Sequence, residues 1–403
     1  LYLFIPIEKK LEAEFHSAWH LYDIFGTGNK AADNHVAYGA GFVTQQDSFA
    51  IGFHPKDLVD NVQKFLDPSN TDKELKDQFK FCSTVQWDFA RAKRELPAAD
   101  VAQLTRRCLY RPFDYRYTVL DRNICTILRK RITSQFDTPN LGLLTTRRVT
   151  RLPFNNVFVT NHCAEYKVAS HDRNTIVFPL WIRDDDENET TSLFLNKSRL
   201  NFSPAFLDAI YARVGESGVT KDQWIKTYGS EQIFYYAYAV FHSVAYRKRY
   251  AEFLKIDFPR LPLPGSPDQF SALAQRGGKL VALHLLKPDE AQILEKPEYR
   301  FAGSGEARVE KGYPKFDNGK VMINDQRWFE DVPKETWEFH VGGYQVLQKW
   351  LKDRAGKGGK NPSLGRVLTD KDILHYCRVI TSLTETRRIM TEIDQVIDQH
   401  GGW

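Results

Sequence analysis

The chain has 403 residues, of which 42% are hydrophobic and 13% aromatic, and a formal net charge of +5. This composition belongs to a folded protein with room for two or three domains, and it excludes a disordered or fibrous chain. Cys82, Cys108, Cys125, Cys163 and Cys377 are widely spaced with no CxxC pair, and no run approaches eighteen apolar residues. Zinc knuckles, a disulfide framework and membrane helices are therefore not expected, and the cysteines read as reduced, packed thiols of a cytosolic protein.

In chain order, Leu1–Ile5 reads as a strand stopped by Pro6. An opening in mid-strand without a methionine is expected of a piece of a longer polypeptide. Short strands are predicted at 21–25 and 49–53 around a glycine-rich turn, and a helical pattern over 56–105, where Leu58, Val62 and Phe65 fall on one stripe. Residues 107–183 alternate and break like a sheet, with strands predicted at 115–120, 141–145, 157–160, 165–169 and 175–182. An acidic loop follows at 184–189. Ser203 then caps a helix, with Phe202 before it, Pro204 at the first helical position and Leu207 completing a hydrophobic staple. An aromatic helix is predicted over 231–254, and Pro259, Pro262 and Pro264 then force an extended connector. Ser266 and Gln269 form a capping box for a helix ending near Gly277-Gly278. A β-hairpin around Asp317-Asn318-Gly319 is expected within 306–330, and helices over 334–353 and 370–398, the latter capped by Thr369 and Asp372. The resulting fold class is α+β, with mixed β-sheet and a largely helical C-terminal portion. Its segments are an α/β portion at 1–105, a β-rich region at 106–200 and a mainly helical region at 201–403.

Charge is segregated along this chain. Arg106 to Arg151 holds eleven arginines and lysines against three aspartates, an excess of eight, so the remaining residues sum to about −3. If the fold gathers this charge on one face, that face attracts a polyanion such as DNA. The alternative is a solvated, arginine-rich surface. The neighbours favour DNA: Thr145, Thr146, Asn155, Asn156, Thr160, Asn161 and His162 have side chains able to meet base edges or phosphates.

Several blocks in one order carry a family resemblance. They include Tyr110-Arg111-Pro112-Phe113-Asp114-Tyr115-Arg116, Asn140-Leu141-Gly142-Leu143-Leu144-Thr145-Thr146-Arg147, Val157-Phe158-Val159-Thr160-Asn161-His162, Asn201-Phe202-Ser203-Pro204 and Trp337-Glu338-Phe339-His340-Val341-Gly342-Gly343-Tyr344. With these the chain resembles the C-terminal target-recognition (specificity) domain of Type ISP restriction–modification enzymes. In these single polypeptides, nuclease, helicase-like translocase, adenine-N6 methyltransferase and recognition domain follow one another. The resemblance implies a cytoplasmic, prokaryotic module that reads double-stranded DNA for a covalently linked upstream methyltransferase and a nuclease. It also implies that S-adenosylmethionine, ATP and Mg2+ serve the full-length enzyme, with no catalytic residue, metal or cofactor in this chain.

Roles divide by side-chain chemistry. Arg111, Arg116, Arg129, Lys130 and Arg131, with Lys197, Arg199 and Asn201 as a second patch, are expected to hold the DNA backbone, which needs charge and reach. Thr145, Thr146, Arg147, Arg148, Thr160, Asn161 and His162 are expected to read bases, because a guanidinium pairs bidentately with guanine and Asn with adenine. For Arg111 and Arg116, a structural salt bridge to Asp114 is the alternative. A methyltransferase active within the chain is the rival. Its cofactor loop would be Phe25-Gly26-Thr27-Gly28-Asn29-Lys30-Ala31, but no ordinary strand–loop–helix pattern surrounds it. The nearest approach to the adenine-pocket tetrapeptide, Asn361-Pro362-Ser363-Leu364, lacks the second proline and the aromatic. The other class of function is protein docking through the helices at 231–254, 334–353 and 370–398.

Overall fold

The strand Gly142–Thr145 is buried along its whole length, and the architecture follows from that. The structure is a computed structural model describing residues 9–26, 37–81, 84–96, 100–150, 153–183, 198–357 and 364–402. In it this strand lies in an antiparallel four-stranded sheet ordered Gly39–Ala40, Ile176–Pro179, Gly142–Thr145, Val157–Thr160. Successive side chains of a strand point to opposite faces. Leu143, Val159 and Phe178 accordingly enter one apolar cluster, and Leu144, Phe158 and Val177 enter another.

The first cluster is closed by the helices Pro204–Val214, Lys221–His242 and Pro267–His284. The second is closed by a small sheet, Phe301–Gly303, Arg327–Phe329, Lys320–Met322 and Lys315–Asp317. The long helix Asp370–Gln399 serves both, with Tyr376 to Leu383 in the second cluster and Ile389 to Ile397 in the first. A sheet apolar on both faces must be covered on both. Each large side chain buried there contributes about 1.5–3 kcal/mol.

A second sheet, ordered Ile51–Gly52, Asp114–Val119, Thr105–Arg111, Cys163–Ala164, has its last pair parallel. Leu58, Val62 and Phe65 of the helix Pro55–Leu66 pack beside it. Cys108, Cys125 and Cys163 form a small cluster with Phe42. These thiols and Cys377 are free and buried, and burial pushes Cys125 and Cys163 up to about 12, which keeps them protonated and unreactive. The fold is thus α+β, with several sheets and a largely helical C-terminal stretch.

Several element boundaries differ from the sequence reading. Residues Leu21–Ile24 form a helical turn instead of a strand. Residues 166–169 form a turn after a single bridge from Glu165 to Phe42. The strand Thr105–Arg111 was not foreseen. The aromatic helix breaks at Ser243, whose hydroxyl caps Val244–Arg249 by accepting from Tyr246 N. Gly277-Gly278 does not end its helix, which continues to His284. A Cβ at Gly277 would lie 1.8 Å from the Tyr235 carbonyl oxygen, so this glycine lets two helices cross closely. Within 334–353, a hairpin at His340–Val341 and Tyr344–Gln345 separates two short helices. The Ser203, Ser266 and Thr369 N-caps form, but Gln269 does not close a box with Ser266, because its Oε1 accepts from Gly265 N instead. Asn318 and Gly319 both adopt positive φ at their hairpin turn. The predicted strand at 1–5, residues 27–31 of the glycine-rich turn, the acidic loop, Lys197 and residues 358–363 lie outside the described residues.

Candidate nucleic-acid interface

The basic block separates into two populations, one inside the fold and one outside. Arg116 lies on the strand Asp114–Val119 with a side chain only 10% exposed. Its Nε and Nη2 donate to Asp114 Oδ2 at 3.0 and 2.7 Å, and Asp353 lies 3.4 Å away. Arg354 Nη2 donates to the other Asp114 oxygen at 2.9 Å. Burial alone would raise the Asp114 carboxyl, but the charges and hydrogen bonds of Arg116 and Arg354 outweigh it and hold the group well below its ordinary value. The guanidinium groups of Arg116, Arg354 and Arg366 all pack on the Phe53 ring at 4.4–4.9 Å. Arg111 pairs with Glu165 and lies over the Tyr110 ring. Burial pushes the Glu165 carboxyl up to about 7, and Arg111 offsets only part of that rise.

Both arginines are therefore structural ions, and the phosphate-clamp expectation fails for them. It fails also for Asn201, 1% exposed, whose amide donates to the carbonyls of Ala37 and Pro179 at 2.7 Å. Among the expected base readers, Thr145, Thr146 and Thr160 are buried. Thr160 Oγ1 donates to His162 O and accepts from His162 N. These threonines shape the sheet ends and present no hydroxyl to a ligand.

The remaining candidates stand at two ends of one ladder. Register pairs Thr145 with Val157 and Gly142 with Thr160, so Arg147-Arg148 leave one end while Asn161-His162 occupy the other. Three residue steps of about 3.4 Å separate the ladder ends by about 10 Å, and the candidates lie one to three residues beyond those ends.

At the first end Val149 is buried and its N–H donates to Lys255 O at 3.2 Å. Arg147 Nε donates to Asp257 at 3.2 Å with its side chain 59% exposed, and Arg148 is exposed without an ion pair to a described residue. At the second end Arg129 adopts φ 53° and opens a helical turn, Lys130–Thr133. Ile132 and Thr133 are buried there, which leaves Arg129, Lys130 and Arg131 exposed, again without an ion pair to a described residue. The turn is held to this end of the sheet by Phe136, since a Cβ on Gly142 would lie 2.7 Å from its ring. It is tied also to the hairpin strand Trp181–Arg183, where Gln135 exchanges hydrogen bonds with the Arg183 backbone. Arg199 is half-buried in the partner strand Ser198–Leu200, opposite Ile182.

Burial, followed by the charge of Arg107, pulls His162 down to about 4, so it is neutral at physiological pH and offers a hydrogen bond without charge. Arg107 was not foreseen as part of this end. It is exposed, stacks over Tyr115 at 4.6 Å, and Tyr115 meets the His162 ring at 5.5 Å. Burial along its strand does not alternate, since Cys108, Leu109 and Tyr110 are all buried, so no local pattern singled it out.

Among the described residues no group of three or more His, Cys, Asp or Glu is placed to hold a metal ion, and no helix is long and apolar enough to cross a membrane. The arrangement is a sheet covered on both faces with basic groups beyond both ends. The chain belongs to the family of Type ISP C-terminal specificity domains, matched over residues 36–392.

Its fold is similar to that of a nuclease-deletion mutant of the Type ISP restriction–modification enzyme LlaGI in complex with a DNA substrate mimic, at 20% identity and a TM-score of 0.62, covering 94% of this chain and 34% of that one. The ATP-dependent Type ISP enzyme LlaBIII bound to DNA gives 16%, 0.63, 93% and 24% on the same measures. DrdV in a DrdV–DNA complex gives 20%, 0.64, 88% and 35%. The chain thus spans about a quarter to a third of the length of these structures. No curated protein matches it.

Proposed function

We propose that this chain reads duplex DNA sequence on behalf of a single-chain restriction–modification enzyme. The adenine methyltransferase, ATP-dependent translocase and nuclease would lie upstream in the same polypeptide, and S-adenosylmethionine, ATP and Mg2+ would bind there. The observation that carries this reading is the placing of exposed Arg147-Arg148 and Arg129-Lys130-Arg131 at the two ends of one rigid ladder, in a chain of the specificity-domain family.

Arg147 and Arg148 are the base readers in this scheme, assisted by Asn161 and the neutral His162. Their loop is pinned through Val149, which limits the entropy lost on docking. Arg129, Lys130 and Arg131 hold phosphates, and Arg199, half-buried in the strand Ser198–Leu200, belongs to the second patch. A long flexible cation at the surface suits that task, whereas one committed to a buried carboxylate does not. Titrating the chain with labelled duplex across a salt series tests the proposal. Affinity is expected to fall steeply and log-linearly as salt rises. Binding indifferent to salt, or absent at low salt, would remove the phosphate-led interface.

A further inference from the structure

A cleft of about 840 Å³ opens beside the loop that follows Arg147-Arg148. Phe154 and Asn155 form one wall, the helix Val244–Arg249 another, and Phe339 to Gly343 the third. The lining is largely apolar, and Arg247 stands in it.

The Arg247 Nε donates to Phe241 O at 2.7 Å, which fixes the plane of the guanidinium, and its Cζ lies 6.0 Å from the Phe154 ring centre. Neither terminal nitrogen has a hydrogen-bond or carboxylate partner among the described residues, and Arg247 is half-buried. The carboxylates nearby, of which Asp172, Glu335 and Glu338 line the cleft, form no ion pair with Arg247. Asp394 accepts from Ser243 Oγ and Ala245 N. Asp172 accepts from Thr150 and Ser170. Glu335 lies 3.9 Å from Arg387 and Glu338 3.9 Å from Lys334. Arg116 and Arg354 are enclosed with carboxylates; Arg247 stands half-buried at the cleft without one.

A half-buried cation whose terminal nitrogens have no protein partner is free to take an anion from solution. Burial pulls Arg247 down to about 10, which still leaves it charged at neutral pH. A planar fork whose two terminal nitrogens are open matches an oxyanion bidentately, and apolar walls strengthen the attraction. Asn155 and Lys248 lie in the same lining and can add donors.

We propose that the Arg247 cleft is an oxyanion site that takes a phosphate group, supplied by the DNA backbone as it passes the Arg147-Arg148 loop. The DNA source rests on the function proposed above; the phosphate chemistry does not. The test compares the full chain with Arg247→Met in two assays, duplex affinity against salt and thermal unfolding with inorganic phosphate.

The expected result is a salt slope lower by about 0.9, one phosphate contact, and loss of the Tm rise that phosphate gives the unaltered chain. In phosphate-free buffer the variant should be no less stable. If the phosphate effect is lost but the slope is unchanged, the anion comes from a free phosphate source and the DNA part is overturned. If the unaltered chain binds no duplex yet shows Arg247-dependent stabilisation by phosphate, the DNA-reading function fails and the oxyanion site stands. No change in either assay overturns the proposal. Should Arg247→Met fail to fold, phenylglyoxal modification of the unaltered chain decides instead: protection of Arg247 by inorganic phosphate supports the site, and equal modification overturns it.

Discussion

Arg116 and Arg131 come from the same basic stretch, yet Asp114, Asp353 and the Phe53 ring enclose one while the other stands in solvent. The difference arises from what each element packs against. Arg116 sits on a strand between two apolar clusters, where only an ionic partner makes a charge tolerable. Arg131 belongs to a helical turn whose Ile132 and Thr133 take the inward positions. The main partner of Arg116, Asp114, is two residues away, and Asp353, 237 residues away along the chain, joins from a distant segment. Charge density along a sequence is thus not charge density on a surface, and part of a basic block can serve as ionic mortar between distant segments.

The largest effect expected from this contrast is on stability. Asp114→Asn would leave Arg116 and Arg354 without their shared carboxylate and should cost about 3–5 kcal/mol in urea unfolding at neutral pH. The sign of its pH dependence is fixed as well. The folded carboxyl is held below its ordinary value of 3.8, so its contribution is complete above that value and is lost as pH falls below it. The variant should lack that acid-sensitive component. A loss under about 1 kcal/mol would show that the enclosed network is not structural.

Next comes discrimination. Arg147→Ala or Arg148→Ala should lose about 1–3 kcal/mol of preference for the cognate sequence over others for each bidentate base contact removed, read by competition binding. A uniform loss on all sequences would move these residues to the backbone class. The smallest effect is expected at the opposite end of the ladder. Arg129→Ala or Arg131→Ala should lower the salt slope by about 0.9 per phosphate contact while changing stability by no more than about 0.5 kcal/mol. A stability loss like that of Asp114→Asn would erase the distinction between the two populations.

What the sequence disclosed followed local rules. The strands at 142–145 and 157–160, the Ser203 and Thr369 caps and the Asn318-Gly319 turn depend on residues close to one another in the chain. What it concealed depended on distant partners. Gly277 resembles a helix stop until Tyr235 of the crossing helix is seen against it. Thr145 and Thr146 resemble hydrogen-bonding readers until the sheet is covered on both faces. For Arg116, the Asp114 salt bridge was already the stated alternative, and the structure adds Asp353 and Arg354 to it. For the interface, the block Tyr110 to Arg116 marks scaffold, and the surviving candidates lie in Arg129 to Arg131, at Arg147 and Arg148, and at Asn161 and His162.

The central claim is that duplex meets the exposed arginines at the ladder ends and leaves the enclosed ones untouched. Arginine footprinting with phenylglyoxal, read by peptide mass spectrometry with and without duplex at low salt, tests it most directly. Arg129, Arg131, Arg147 and Arg148 should be modified in the chain alone and protected by duplex, while Arg111 and Arg116 remain unmodified in both states. Equal modification of Arg147 and Arg148 with and without duplex, or duplex-sensitive modification of Arg116, would contradict it.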